Sequence, residues 1–199
     1  MTSFFKAWSH RQWLIRCSVA NHTCESLWED ELKYVHSLLE DDIRNNSAWN
    51  HRWFIVHKCS TSTPLLLELA QREAKFALDA AERDPWNESP WSYFIGIVRE
   101  QTSGDRKEDE ANASFLGFCE TEVDSILQNF KKTSTHEGEE CPNIISAMID
   151  ILEIRDDLQS LTRAAQLASE LATVHDKIRL KYWLYREKEF RVLIEKKIS

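Results

Sequence analysis

An all-α fold, a solenoid of stacked helical hairpins, is predicted by three observations. The 199 residues include only 4 Gly and 4 Pro, and so few breaking residues favour long helices over a turn-rich sheet. A tryptophan motif recurs. Trp8-Ser9-His10-Arg11-Gln12-Trp13 returns as Trp49-Asn50-His51-Arg52-Trp53-Phe54 and, weakened, as Trp91-Ser92-Tyr93-Phe94, at offsets of 41 and 42 residues. That period fits two helices and two short turns per repeat. Between these motifs, apolar residues fall at steps of three and four, the spacing that gathers them on one helical face. The expected organisation is one domain over 1–199, with repeats near 1–41, 42–84 and 85–131 and C-terminal helices over 143–199.

Each element has its own signal. Ser26-Leu27-Trp28-Glu29 has the Ser-x-x-Glu form of a capping box, and Trp28, Leu32, Val35 and Leu39 follow on one face. That helix is expected to end around Asp41 to Asn45. The next is expected to start near Asn46 or Ser47 and to carry Trp49, Trp53 and Val56 on one stripe. Thr63-Pro64 reads as an N-cap followed by proline at the first helical position. Leu67, Ala70, Ala74, Ala77 and Ala81 then mark a helix whose small residues permit close packing. Ser89-Pro90 repeats the cap-and-proline signal and opens the helix bearing Trp91. Two polar stretches, Thr102 to Asn112 and Lys132 to Asn143, read as surface loops. Beyond Pro142 the helical pattern resumes, with Leu161, Ala164, Ala168, Leu171 and Ile178 expected on one face. The Lys-rich stretch from Arg191 to Ser199 is expected to fray at its tip.

Composition narrows the functional classes. A formal net charge of -8 argues against a general nucleic-acid-binding surface, which needs clustered Lys and Arg. Cys17, Cys24, Cys59, Cys119 and Cys141 are odd in number, widely spaced and contain no C-x-x-C pair. Buried thiols in a reducing compartment are therefore expected instead of a zinc site. No apolar run approaches the ~20 residues that span a bilayer, and the opening residues lack a secretory signal. A cytoplasmic protein with no membrane span is expected. There is no P-loop, H-E-x-x-H or G-x-S-x-G.

Three stretches carry a family resemblance. Leu27 to Val35 followed by Arg44 to Arg52, and Asp84-Pro85-Trp86-Asn87-Glu88-Ser89-Pro90-Trp91, resemble the repeat of protein prenyltransferase alpha subunits. Asp176-Lys177-Ile178-Arg179 with Tyr182-Trp183 is similar to that family's C-terminal helix. The likeness runs from Ala7 onward. The repeat motif alone also admits the alpha subunit of Rab geranylgeranyltransferase. The long linking segments favour the alpha subunit shared by farnesyltransferase and geranylgeranyltransferase type I.

The resemblance implies a right-handed alpha-alpha superhelix wrapped around a beta subunit. It implies transfer of farnesyl or geranylgeranyl from an isoprenoid diphosphate to the cysteine of a C-terminal CaaX sequence. Zinc, held in the beta subunit, and Mg2+ are the cofactors expected of the complex, with none in this chain. A family lysine that helps the diphosphate leave belongs to a repeat preceding the first one seen here. The chain is accordingly expected to be an N-terminally shortened subunit, inactive without the beta subunit. The alternative is a non-catalytic helical-repeat interaction protein. At the family's Lys-Asn-Tyr positions stand Ser3, Phe4 and Phe5 in the first repeat and Arg44, Asn45 and Asn46 in the second, where only Asn45 fits. No catalytic residue is carried over.

The candidates for facing the substrate or the beta subunit are Lys6, Arg11, Arg44, Asn45, Asn46, Asn50, Arg52 and Asn87. Each has a structural alternative. Arg11 and Arg52 sit beside motif tryptophans, where an arginine stacks or bridges to a neighbouring repeat's carboxylate or carbonyl. Asn45, Asn46 and Asn87 lie just before helix starts, where capping is their usual role. His10, His51 and His57 read as structural hydrogen-bonders. Trp8, Trp49 and Trp91 are expected to fill the repeat core.

Overall fold

The computed structural model describes residues 2–20, 25–59, 66–103, 110–134 and 140–198; within these, the side chains of 2–7, 18–20, 25–26 and 58–59 are not described. Two compact units are distinguished, 1–66 and 67–199. Among the described residues the regular structure is all helical.

The first unit contains α1 (Thr2–Ala20), α2 (Glu25–Asp41) and α3 (Asn46–Cys59). The stripe read on α2 is the buried one: Val35 and Leu39 are fully enclosed, and Trp28 and Leu32 partly so. It packs against α3, which buries Ala48, Trp49, Ile55 and Val56. α1 packs on α3 as well and buries Ile15. Helix α2 starts at Glu25, so Ser26 is a helical residue and not the expected N-cap.

The second unit contains α4 (Leu67–Arg83), α5 (Glu88–Gln101), α6 (Glu110–Thr133), α7 (Pro142–Arg155), α8 (Leu158–Glu170) and α9 (Leu180–Ile198). Ala70, Ala74, Ala77 and Ala81 of α4 are buried without remainder, so its backbone lies close to α5 and α6. Helix α7 has Ile144, Ile145, Ala147, Met148, Ile149, Ile151 and Leu152 all buried. A helix with so wide an apolar face belongs in the middle of its unit, and α7 contacts α5, α6 and α8. Ion pairs tie alternate helices into two rows. Lys75–Glu122 (2.7 Å) and Arg163–Glu120 (3.2 Å) link α4, α6 and α8. Arg99–Asp150 (3.0 Å) and Arg186–Glu153 (3.0 Å) link α5, α7 and α9.

Several boundaries differ from the sequence expectation. Thr63-Pro64 lies outside the described residues; α4 begins at Leu67, after a non-helical Leu66. Ser89-Pro90 is not the start of α5. Asn87 is its N-cap, and Pro90 is the third helical residue, a position tolerated because the first four N–H groups of a helix have no internal acceptor. Both expected loops are shorter. Asn112 is a buried residue of α6 whose Oδ1 accepts from Gln101 Nε2 at 3.2 Å, and α6 continues through Thr133. Ile178 is 99% exposed, whereas Leu161, Ala164, Ala168 and Leu171 are buried. The face is lost because a π-helical turn, Leu171–His175, and a 3-10 turn, Lys177–Arg179, change the rotation per residue. The C-terminal stretch is helical through Ile198.

Two-residue spacing between α7 and α8 is made by adjacent aspartates. Asp156 takes a left-handed conformation, φ 57°, which aspartate tolerates better than most side chains. Asp157 then caps α8, accepting from the amide (2.8 Å) and hydroxyl (2.6 Å) of Ser160. Those hydrogen bonds hold its carboxyl below the usual carboxylate range. Cys119 and Cys141 are buried thiols and Cys17 is half-buried; burial pushes the Cys119 thiol strongly upward, so it packs as an inert hydrophobe. Cys24 and the Cys59 side chain lie outside the described residues.

Candidate partner interface at the helix-start turns

The turn before α3 and the turn before α5 are built alike, 42 residues apart. In the first, the Asn45 amide donates to the Asp42 carbonyl at 3.1 Å, and Asn45 Oδ1 accepts from the Ala48 amide at 3.1 Å. The Trp49 indole Nε1–H reaches back to the Ile43 carbonyl at 2.9 Å. In the second, the Asn87 amide donates to Asp84 at 3.0 Å, Asn87 Oδ1 accepts from the Ser89 amide at 3.2 Å, and Trp91 Nε1–H donates to the Pro85 carbonyl at 3.0 Å. The Pro85 oxygen also accepts from Cys141 Sγ–H (3.2 Å) and Asn143 Nδ2 (3.1 Å) of the α7 start. Each motif tryptophan therefore locks its own turn as well as filling the core. Replacing Asn87 with alanine is expected to cost about 1 kcal/mol through the lost cap, read as a lowered urea midpoint with an unchanged slope.

A buried carboxylate recurs with the same period. Glu31 of α2 accepts from His51 Nε2–H at 2.6 Å. It also pairs with both the Nε and Nη2 of Arg11, the latter at 2.7 Å. Forty-two positions on, Glu73 of α4 accepts from the Tyr93 hydroxyl at 2.8 Å. His51 and Tyr93 each lie 20 residues after the carboxylate they donate to. Burial disfavours the charged form of Glu31, but the hydrogen bonds from Arg11 and His51 outweigh it and hold the carboxyl below its ordinary value. Burial also holds His51 below its ordinary value, against the pull of Glu31. The imidazole is thus neutral at neutral pH, with its proton on Nε2.

A pH dependence follows. Below the ordinary histidine pKa of about 6.5, the unfolded chain takes up a proton that the folded chain refuses. The stability held by neutral His51 is full above that pH and falls on acidification. Glu31 adds a further loss below about pH 4.3. The urea midpoint is expected to drop between about pH 7.5 and about pH 5, and His51→Gln to flatten that drop. A level wild-type profile contradicts the assignment.

The candidate residues are distributed over both units. Arg44, Asn46 and Asn50 are exposed around the turn and first coil of α3, and Asn45 is half-buried in its capping role. Arg11 is engaged with Glu31, and its guanidinium also lies 4.0 Å from the centre of the Tyr34 ring. Arg52 is buried. Asn87 is buried in the cap of α5, in the other unit. Lys6 lies in α1, with its side chain outside the described residues. Of the repeat tryptophans, Trp49 and Trp91 are buried. Trp8 is only half-buried, its ring centre 4.8 Å from that of His51.

Sequence reasoning missed Glu31 and Glu73, although the recurring 20-residue spacing to a hydrogen-bond donor was present in the chain. It also missed a cleft of about 450 Å3 in the second unit, between α5, α7 and the start of α9. Trp91, Ser92, Gly96, Asn143, Ala147 and Arg179 contribute to its walls. Chemically, these turns present hydrogen-bonding side chains from fixed backbone, the property of a recognition surface. No group of three or more His, Cys, Asp or Glu among the described residues is placed to hold a metal ion. No helix among them is long and apolar enough to cross a membrane.

Tandem helical hairpins, two of them with a tryptophan-locked asparagine turn, define an all-α repeat protein. Residues 28–59 and 70–101 match the protein prenyltransferase alpha subunit repeat. The chain is 34% identical over 159 residues to the protein farnesyltransferase/geranylgeranyltransferase type-1 subunit alpha of Dictyostelium discoideum, a match covering 80% of this chain and 44% of that protein. It is 30% identical over 178 residues to the subunit of the same name from Arabidopsis thaliana, covering 83% of this chain and 50% of that one. Its fold is similar to a chain of the Candida albicans protein geranylgeranyltransferase-I complexed with GGPP, with a TM-score of 0.64 and 18% identity over 92% of this chain and 52% of that chain. The chain is a homologue of protein prenyltransferase alpha subunits and carries two of their repeats. It spans about half the length of the relatives it matches.

Proposed function

We propose that this chain serves as an alpha subunit, or part of one, in a heterodimeric protein prenyltransferase. In this reading it binds a beta subunit and borders a shared site. There farnesyl or geranylgeranyl passes from its diphosphate to the cysteine of a C-terminal CaaX sequence. The observation that carries the reading is the 34% identity to a farnesyltransferase/geranylgeranyltransferase type-1 alpha subunit across 80% of the chain. The exposed Arg44, Asn46 and Asn50, on a turn fixed by Asn45 and Trp49, are proposed to face the beta subunit. The described residues form no zinc cluster, and the proposal leaves zinc to the beta subunit and Mg2+ to the complex.

A second reading, a repeat protein that grips the beta subunit without supporting turnover, is favoured by one observation. Asn45 is the residue that fits the family's Lys-Asn-Tyr pattern in the second repeat, and its side chain is engaged in capping α3. The test is co-expression with a farnesyltransferase-type and a type I beta subunit, followed by purification through the beta subunit's tag. Co-purification is expected, with CaaX-peptide turnover on adding zinc, Mg2+ and the isoprenoid diphosphate. Co-purification without turnover selects the second reading, and absence of any complex rejects both.

A further inference from the structure

Trp86 is the repeat counterpart of Arg44, 42 positions on, and both side chains stand exposed on their turns. For a large apolar side chain this is a notable placement: Trp86 is 52% exposed. Its backbone is nevertheless fixed. The neighbouring Pro85 carbonyl accepts from Trp91, Cys141 and Asn143, and Asn87 caps α5. The turn thus holds an indole in solvent at little further cost in conformational freedom, the usual property of an aromatic anchor at an interface.

The indole is one wall of a pocket of about 460 Å3 between this turn and the end of α6. Phe130 stands beside it, ring centres 6.3 Å apart and planes inclined by 67°, and Ile126 adds apolar surface. Glu82 and Asp84 contribute carboxylates to the lining. Glu82 is oriented by Asn129 Nδ2, which donates to its Oε1 at 3.0 Å. Arg83 is the lining's one guanidinium, and its Nε lies toward the Asp79 carbonyl, 3.4 Å away. Two carboxylates against one cation make the lining acidic, as is the whole chain at -8.

We propose that this pocket takes a lysine or arginine side chain from a basic segment of a partner protein. The aliphatic stem lies on the Phe130 and Ile126 surface, the cationic head meets the indole, and Glu82 and Asp84 supply the opposite charge. The net negative charge of the lining repels an acidic occupant and gives an uncharged one no electrostatic gain. The proposal stands independently of the prenyltransferase reading.

The test is a titration of the full chain, labelled with 15N, by blocked tri-lysine and tri-arginine peptides, with blocked tri-glutamine as the uncharged control. Eight indole N–H signals are available, and Trp86→Ala identifies the relevant one. The basic peptides are expected to shift the Trp86 signal saturably, and tri-glutamine to leave it in place. Trp86→Ala, followed on the remaining signals, is expected to weaken binding about fivefold, and Glu82→Gln with Asp84→Asn by at least as much. Trp86→Phe, which keeps an aromatic face, should retain part of the affinity. Unchanged circular dichroism confirms that each variant is folded. A stationary Trp86 signal overturns the proposal, as does an equal response to tri-glutamine or an affinity indifferent to Trp86→Ala.

Discussion

Replacing Trp183 with alanine is expected to lower the stability of the second unit by about 4 kcal/mol, the scale of a fully buried aromatic truncated in a packed interior. The side chain is 0% exposed. Its indole Nε1–H donates to Asp176 Oδ2 at 2.7 Å, and the same oxygen accepts from Arg179 Nε. Burial disfavours the Asp176 carboxylate, but these two donors outweigh it and hold the group below its ordinary value. The alanine variant therefore removes packing and takes one of its two side-chain donors from the Asp176 carboxylate. Trp183→Phe separates the two losses: it keeps most of the ring and forfeits the donor, for about 1–2 kcal/mol. Urea unfolding followed by circular dichroism measures both. An alanine variant within about 1 kcal/mol of the parent refutes the claim that this corner is held by the indole.

Glu31→Ala is expected to cost about 3 kcal/mol, the low end for breaking a buried charge pair. The low end applies because Arg11 is partly exposed and water compensates some of its loss. Glu31 itself is 6% exposed, and His51 is fully enclosed. One carboxylate joins Arg11 of α1, its own helix α2 and His51 of α3, so its removal loosens three helices together. Glu31→Gln retains one acceptor and should fall between the parent and the alanine variant. Equal stabilities for all three would show that the three-helix junction does not depend on the charge.

The repeat was legible because its cause is local and periodic. An asparagine cap and an indole that reaches six residues back fix the Asn-to-Trp spacing in the turns before α3 and α5. The asparagine caps were legible for the same reason. Ser89-Pro90 misled because proline is acceptable anywhere in the first helical turn, so it marks the start only to within a few residues. Ile178 misled because nothing in a three-four apolar pattern announces a π-helical turn. The choice between partners for Arg11 was beyond the sequence: Glu31 and an outside surface are equally compatible with an arginine beside a tryptophan, and only packing brings α1 beside α2. Trp86 could not be told from the core tryptophans by pattern, since its exposure depends on the placement of α6.

The oxygen of Pro85 gathers donors from 6, 56 and 58 residues further along the chain. That makes the corner a length gauge. Swapping the ring at position 85 for another side chain that keeps the bend leaves the gauge intact, whereas one residue inserted between 85 and 91 disengages the indole and displaces the oxygen from both α7 donors. A substitution at this corner is expected to be tolerated, and an insertion is not.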